Sequence, residues 1–159
     1  MPPPDSSSTF DLLVHPDALY LYKLAPSAST SSFLSSLISD DASATDQRTP
    51  PQARFRSIIW TSSEISLVTD TKPPENLQLD SDSVVEYAAL RIRGPMDLSL
   101  TGILYTLLEP LKAAGIPIFT LSTWNTDYVL VPLERKERAL HVLEDDAWRI
   151  IIMQEQFTA

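Results

Sequence analysis

The second half of this chain changes hydrophobic period in a fixed order, and that order restricts the fold more than any other feature. "VVEYAALRIRG", from Val84 to Gly94, is dense in strand formers and ends at the turn pair Gly94-Pro95. Beyond it Ile103, Leu104, Leu107, Leu108, Leu111 and Ala114 recur at helical spacing, with Asp97 or Ser99 available as N-cap and Gly115 placed just past the end. Two strand patterns follow, "IPIFTLS" and "DYVLVP", separated by about four residues. Pro132 stops the second, and "LERKERALHVLEDD" then offers an amphipathic helix with Leu133, Ala139, Leu140 and Leu143 inward. "WRIIIM" closes as a strand. Strand, helix, strand, strand, helix, strand is the split βαβ order, which folds as a four-stranded antiparallel sheet with both helices on one face. The expected class is therefore α+β.

The first half fits the same plan loosely. "LLVHPDALYLYKLAP" gives two short strands broken at His15-Pro16, "STSSFLSSLIS" gives a short, weak helix, and "FRSIIWTSSEISLVTD" gives a hairpin with strands Phe55 to Trp60 and Ile65 to Val68. A second helix is missing or replaced. "TKPPENLQLDSDS" interrupts regular structure at Pro73-Pro74 and marks the boundary between the halves. Residues 1–8, and an insert at 39–52 containing "SDDASATDQRTPPQ", are too polar to offset their ordering entropy by burial, and both read as flexible. The expected organisation is a disordered N-terminus at 1–8, a degenerate ferredoxin-like unit at 9–72 and a well-formed one at 84–155.

Composition removes several function classes. The 159 residues carry a formal net charge of −9 without a Lys or Arg cluster, which argues against a nucleic-acid partner. There is no cysteine, hence no thiol nucleophile or thiolate metal site, and His15 and His141 lack metal-ligand spacing. No apolar run approaches the roughly 20 residues that span a bilayer. "MPPPDSSST" has neither the basic nor the apolar region of a signal peptide. A soluble cytoplasmic protein without cofactor, metal or membrane is the expectation.

With only three glycines in the chain, each is informative. Gly94 suits a turn and Gly115 a helix stop. Gly102 falls in the first turns of a helix expected to begin near Ser99, where glycine costs about 1 kcal/mol relative to alanine. Either a ligand approaches the helix N-terminus there, where N–H groups attract a carboxylate or phosphate, or the helix packs closely on a strand. "MDLSLTG" lacks the spacing of a P-loop.

"LTGILYTLLEPLKAAGIPIFTLSTWNTDYVLVP" closely resembles the ACT-domain subgroup that includes the CASTOR arginine sensors and short bacterial and fungal ACT proteins. The glycine in the first turns of the helix, the "PL" pair further along it and the "ST-x-x-x-D" motif carry the resemblance over most of Val84 to Leu143. The hairpin "FRSIIWTSSEISLV" extends it weakly across Thr9 to Asp70. The resemblance implies tandem regulatory ACT modules that bind an amino acid between two units bearing the motif. This chain has one such unit, so the equivalent site would form between two chains of a homodimer. It implies a ligand site at Ser99, Leu100, Thr101, Gly102 and Ile103, whose N–H groups would take the ligand carboxylate, with Ser122, Thr123 and Asp127 opposite. Asp127 would meet an ammonium or guanidinium. Leu100 stands near the place of an additional acidic residue in the arginine sensors, which opens the site to a neutral or smaller amino acid.

Two other readings compete. A ferredoxin-like enzyme such as an acylphosphatase needs an arginine in a phosphate-cradling loop, whereas Arg91 and Arg93 alternate on a strand; no enzymatic activity is expected. A ligand-free interaction module, with Trp124 and the "WRIIIM" edge meeting a regulatory protein partner, is the stronger alternative. In that case "STWNTD" is a polar hairpin capped by Asp127.

Overall fold

The computed structural model describes residues 8–42, 55–72 and 84–153. Its elements in chain order are strands β1 (Leu12–Val14) and β2 (Leu19–Leu24), helix α1 (Ala28–Ala42), strands β3 (Arg56–Trp60), β4 (Ile65–Thr69) and β5 (Val84–Ile92), helix α2 (Ile103–Ala113), strands β6 (Phe119–Ser122) and β7 (Asp127–Pro132), helix α3 (Lys136–Asp145) and strand β8 (Ile150–Ile152). Described residues fall into two compact units, one made from the segments up to Ala18 and from Glu86 onward, the other from Leu19 to Val85.

In the first of these, β5 pairs antiparallel with β7, and β7 pairs antiparallel with β6. The split βαβ order holds, but this unit has five strands rather than four. β1 lies between β5 and β8, antiparallel to one and parallel to the other. The segment around Leu12–Val14, expected in the first unit at 9–72, thus groups with the C-terminal one. The physical reason is backbone pairing along both edges of this strand: Leu12 N–H donates to Arg149 C=O at 2.9 Å, and Arg93 N–H donates to Asp11 C=O at 2.8 Å.

Strand periodicity places Ala88, Leu90 and Ile92 of β5, Val129 and Val131 of β7, and Leu12 and Val14 of β1 on one face. Ile103, Leu107 and Leu111 of α2 and Ala139, Leu140 and Leu143 of α3 pack against them in a single buried cluster. Both helices therefore cover one face of this sheet, and each fully buried leucine contributes roughly 1.5–3 kcal/mol. α2 ends as expected, with Gly115 N–H donating to Lys112 C=O and Ile116 N–H to Leu111 C=O, each at 3.0 Å. Leu133, expected inward on α3, is exposed, because residues 133–135 form a 3₁₀ turn ahead of the helix. The closing strand is shorter than "WRIIIM": Trp148 precedes it and is buried.

In the other unit, β4 pairs antiparallel with both β2 and β3. Tyr22, Leu24, Ile65 and Leu67 of its strands enclose Leu34 and Leu37 of α1. That helix has 15 residues, a turn more than the 11 of the short, weak helix expected over "STSSFLSSLIS". Ser27 caps it, accepting a hydrogen bond from Thr30 N–H at 3.1 Å, and Leu34 and Leu37 give it an apolar side despite its serines. Residues 39–42 of the expected flexible insert are helical, and Ser8 begins a 3₁₀ turn instead of ending a disordered tail. The rest of the insert, residues 1–7, the boundary segment at 73–83 and positions 154–155 lie outside the described residues.

Candidate functional site

The C-terminal edge of β5 opens into a connection, residues 93–102, that ends at α2. Beside it runs the β6–β7 turn, residues 123–126. The turn is closed by its own threonine: Thr123 donates to Thr126 C=O through its backbone N–H at 2.8 Å and through its hydroxyl at 3.1 Å. The buried Thr126 hydroxyl donates to Ile92 C=O, tying the turn to β5. Met96 N–H donates to Asn125 C=O at 2.8 Å. Gly94 sits at φ 69°, against that same carbonyl, and a Cβ there would fall 2.8 Å from the oxygen. Only glycine permits so close a backbone approach.

Asp97 and Ser99, expected as N-caps, instead make a turn ahead of the helix. Ser99 N–H donates to the Asp97 carboxylate at 2.8 Å, and Leu100 N–H donates to Asp97 C=O at 3.0 Å. Hydrogen bonds from the Ser99 side chain and backbone hold the Asp97 carboxyl below the usual carboxylate range. The helix begins at Ile103, and Gly102 is its N-cap, with φ 81° in the left-handed region and no side-chain cap. Gly102 thus lies ahead of the first turn, not within it as the sequence alone suggests. Its conformation explains why a glycine stands there, and a Cβ at that point would meet nothing within 4 Å.

Between the connection and the turn lies a pocket of about 260 Å³. The connection contributes Met96, Asp97, Leu98 and Leu100; the helix start contributes Gly102, Ile103 and Leu104; the turn and its flanks contribute Ser122, Thr123, Trp124, Thr126 and Asp127. Six of the eight residues singled out in the sequence, namely Leu100, Gly102, Ile103, Ser122, Thr123 and Asp127, are thus brought together, whereas Ser99 and Thr101 are exposed on the connection outside the lining. Ser122 and Asp127 are cross-strand partners at the last rung of the β6–β7 ladder. The carboxylate of half-buried Asp127 makes no hydrogen bond or ion pair among the described residues, so it does not cap the hairpin. Met96, Leu98 and Leu104 join the lining without a sequence motif to mark them. Apolar side chains in a loop and on a helix start carry no signal until the turn is folded beside them.

A charge cluster that the sequence did not signal lies where β1, β5 and β8 meet. Asp11 is 2% exposed and accepts two bonds from Arg149, at 2.5 and 2.6 Å, with Arg93 Nη2 at 3.0 Å. The Arg149 hydrogen bonds hold the Asp11 carboxyl below its ordinary value although burial alone would raise it. Its partners lie 82 and 138 positions away, and no local motif announces such a triad. A broader depression of about 430 Å³ along α2 and α3 gathers Glu109, Asp145 and Asp146 with an apolar floor. No group of residues suited to a metal ion occurs among the described residues, nor does a helix long and apolar enough to cross a membrane.

Residues 83–145 match the family model described as ACT domain. Among solved structures, the chain is similar to a protein of Agrobacterium tumefaciens, at 20% identity and a TM-score of 0.60 over 94% of this chain and 97% of that one. It is similar to aspartate kinase from Synechocystis, at 13% identity and a TM-score of 0.57 over 95% of this chain and 29% of that one. It is also similar to the ligand-free regulatory subunit of aspartate kinase from Thermus thermophilus, at 9% identity and a TM-score of 0.52 over 88% of this chain and 99% of that one. At these identities the likeness is one of fold. That fold is the mixed α+β arrangement of ACT, ferredoxin-like domains.

Proposed function

We propose that this chain is a regulatory protein that binds a free amino acid in the pocket between the β5–α2 connection and the β6–β7 turn. The ACT domain match and the regulatory-domain neighbours support a small-molecule-binding regulatory role. The amino acid itself is argued from one observation: a helix N-terminus without a side-chain cap and an unpartnered carboxylate line the same small pocket. The α-carboxylate takes the N–H groups at the start of α2, where the helix dipole favours an anion. The α-ammonium takes Asp127, and Ser122 on the adjoining rung adds a hydroxyl. Neither group acts as an acid or base on a reacting bond, so the role is binding rather than catalysis.

The proposal includes a homodimer with the ligand at the contact between copies. Leu98 and Trp124, exposed to 71% and 78%, stand at the pocket mouth and gain by being covered. Sedimentation showing a monomer at tens of micromolar, with and without ligand, would remove that part.

Calorimetry on wild type and Asp127→Asn tests the site itself. Asparagine keeps the shape and removes the charge, so affinity for the amino acid should fall by roughly 1.5–3 kcal/mol, the range for a hydrogen bond to a charged group. Equal affinities would withdraw Asp127 from the ligand.

A further inference from the structure

We infer that the amino acid bound in this pocket carries an apolar side chain of about the size of leucine or methionine. The inference rests on the proposed amino-acid site and adds the ligand's class. An accounting of the lining carries it. No Lys, Arg or His lines the pocket, so an acidic ligand side chain has no counter-charge there. Among the hydroxyls, Thr123 and Thr126 are committed to carbonyls of the turn and of β5. Asp97 is turned back on its own loop by the bond from Ser99. What remains uncommitted, Asp127 and Ser122 together with the helix start, is consumed by the ligand's ammonium and carboxylate.

Beyond that polar corner the walls are Met96, Leu98, Leu100 and Leu104, with Trp124 at the mouth. A hydroxyl, amide or cation placed against them would lose water without gaining a partner. A volume of about 260 Å³ is small for a ligand site and fits one amino acid rather than a nucleotide or a peptide. Leu100 is 46% exposed in the open pocket, and a ligand side chain covering it would recover apolar contact on both partners.

Titration calorimetry of the full chain with leucine, methionine, alanine, lysine and arginine tests this. Each buried methylene strengthens binding about fourfold, so leucine and methionine should bind at least about tenfold more tightly than alanine, and also more tightly than lysine or arginine. A tighter lysine or arginine would overturn the inference and transfer the ligand side chain to Asp97, while leaving the amino-acid site standing. Binding of none of the five at millimolar concentration would remove the amino-acid site and the inference with it. Leu100→Asp, checked for an unchanged melting temperature, should weaken leucine about tenfold and narrow its advantage over arginine. Leu100→Ala should weaken leucine without favouring arginine. An unchanged leucine-to-arginine ratio in Leu100→Asp would overturn the inference.

Discussion

The chain runs through strand, helix and hairpin twice, and the two passes begin their helices in opposite ways. In β2–α1–β3–β4 the connection into the helix is short, residues 25–27, and Ser27 closes the helix N-terminus. Its oxygen takes Thr30 N–H, and the Thr30 hydroxyl in turn donates to Ala25 C=O at 2.8 Å. In β5–α2–β6–β7 the connection is long, residues 93–102, and the cap is a glycine with no side chain to offer. The hairpins differ as well: one turn presents Thr61, Ser62 and Ser63, the other Trp124 and, just past it, Asp127. The same plan therefore gives one sealed helix end and one open end facing a carboxylate. Whether a helix end on this fold is open is set by what the connection withholds as much as by what it supplies.

The largest way to break that contrast is to deny the long connection its path. Gly94→Ala sets a Cβ 2.8 Å from Asn125 C=O, which is backbone and cannot swing aside, at a φ of 69° that alanine already disfavours. Overpacking and left-handed strain together should cost about 3 kcal/mol. Gly102→Ala meets no neighbour within 4 Å, so only the conformational term applies, about 1 kcal/mol. Denaturant melts of the two variants measure the difference. Equal losses would mean that the connection is not held against the β6–β7 turn as described.

A second difference between the passes is the strand that only the C-terminal unit acquires. β1 is fixed there by Asp11 between Arg149 and Arg93. Asp11→Asn should cost about 2 kcal/mol, the loss of charged hydrogen bonds, because the two guanidinium groups are half exposed and regain water when released. Acid should reproduce the effect. Asp11 has a folded-state value below the ordinary one, so its stabilisation is fully present above about pH 4 and is lost as pH falls through the lower, folded value. Wild type and Asp11→Asn should therefore converge in stability on the acid side. A constant gap down to pH 2 would mean that the carboxylate charge contributes nothing.

The same contrast explains what the sequence made legible. α2 and α3 could be read because Leu107, Leu111, Ala139 and Leu143 repeat at the helical period and face one core, and the α+β class follows from them. α1 is hard to read because six of the first nine residues it spans are Ser or Thr; its cap and its two buried leucines act through tertiary packing that propensity does not weigh. The start of α2 was misplaced by about one turn because Asp97 and Ser99 have cap chemistry and use it on a turn of their own. β1 groups with β5 and β8, and pairing across so long a sequence separation leaves no local trace. At the site, Gly102 and "STWNTD" stood out by residue type, while Met96, Leu98 and Leu104 became lining only through the fold.

The smallest test sharpens the claim that one helix end is closed and the other open. Ser27→Ala removes the only cap of α1 seen among the described residues and should cost about 1 kcal/mol. Ser27→Gly should cost only a few tenths, since glycine allows water to reach the first turn. If α2 is open for a ligand, its stability depends on occupancy instead of on a cap. Saturating amino acid should then raise the melting temperature of wild type and Ser27→Ala by equal amounts, because the ligand binds the other helix end. A ligand shift that shrinks in Ser27→Ala would show that the two ends are coupled, and a shift of zero in both would show that the open end has no occupant. Hydrogen exchange at Thr30 and at Leu104 separates these outcomes residue by residue: protection at Leu104 should rise with ligand, and protection at Thr30 should depend only on Ser27.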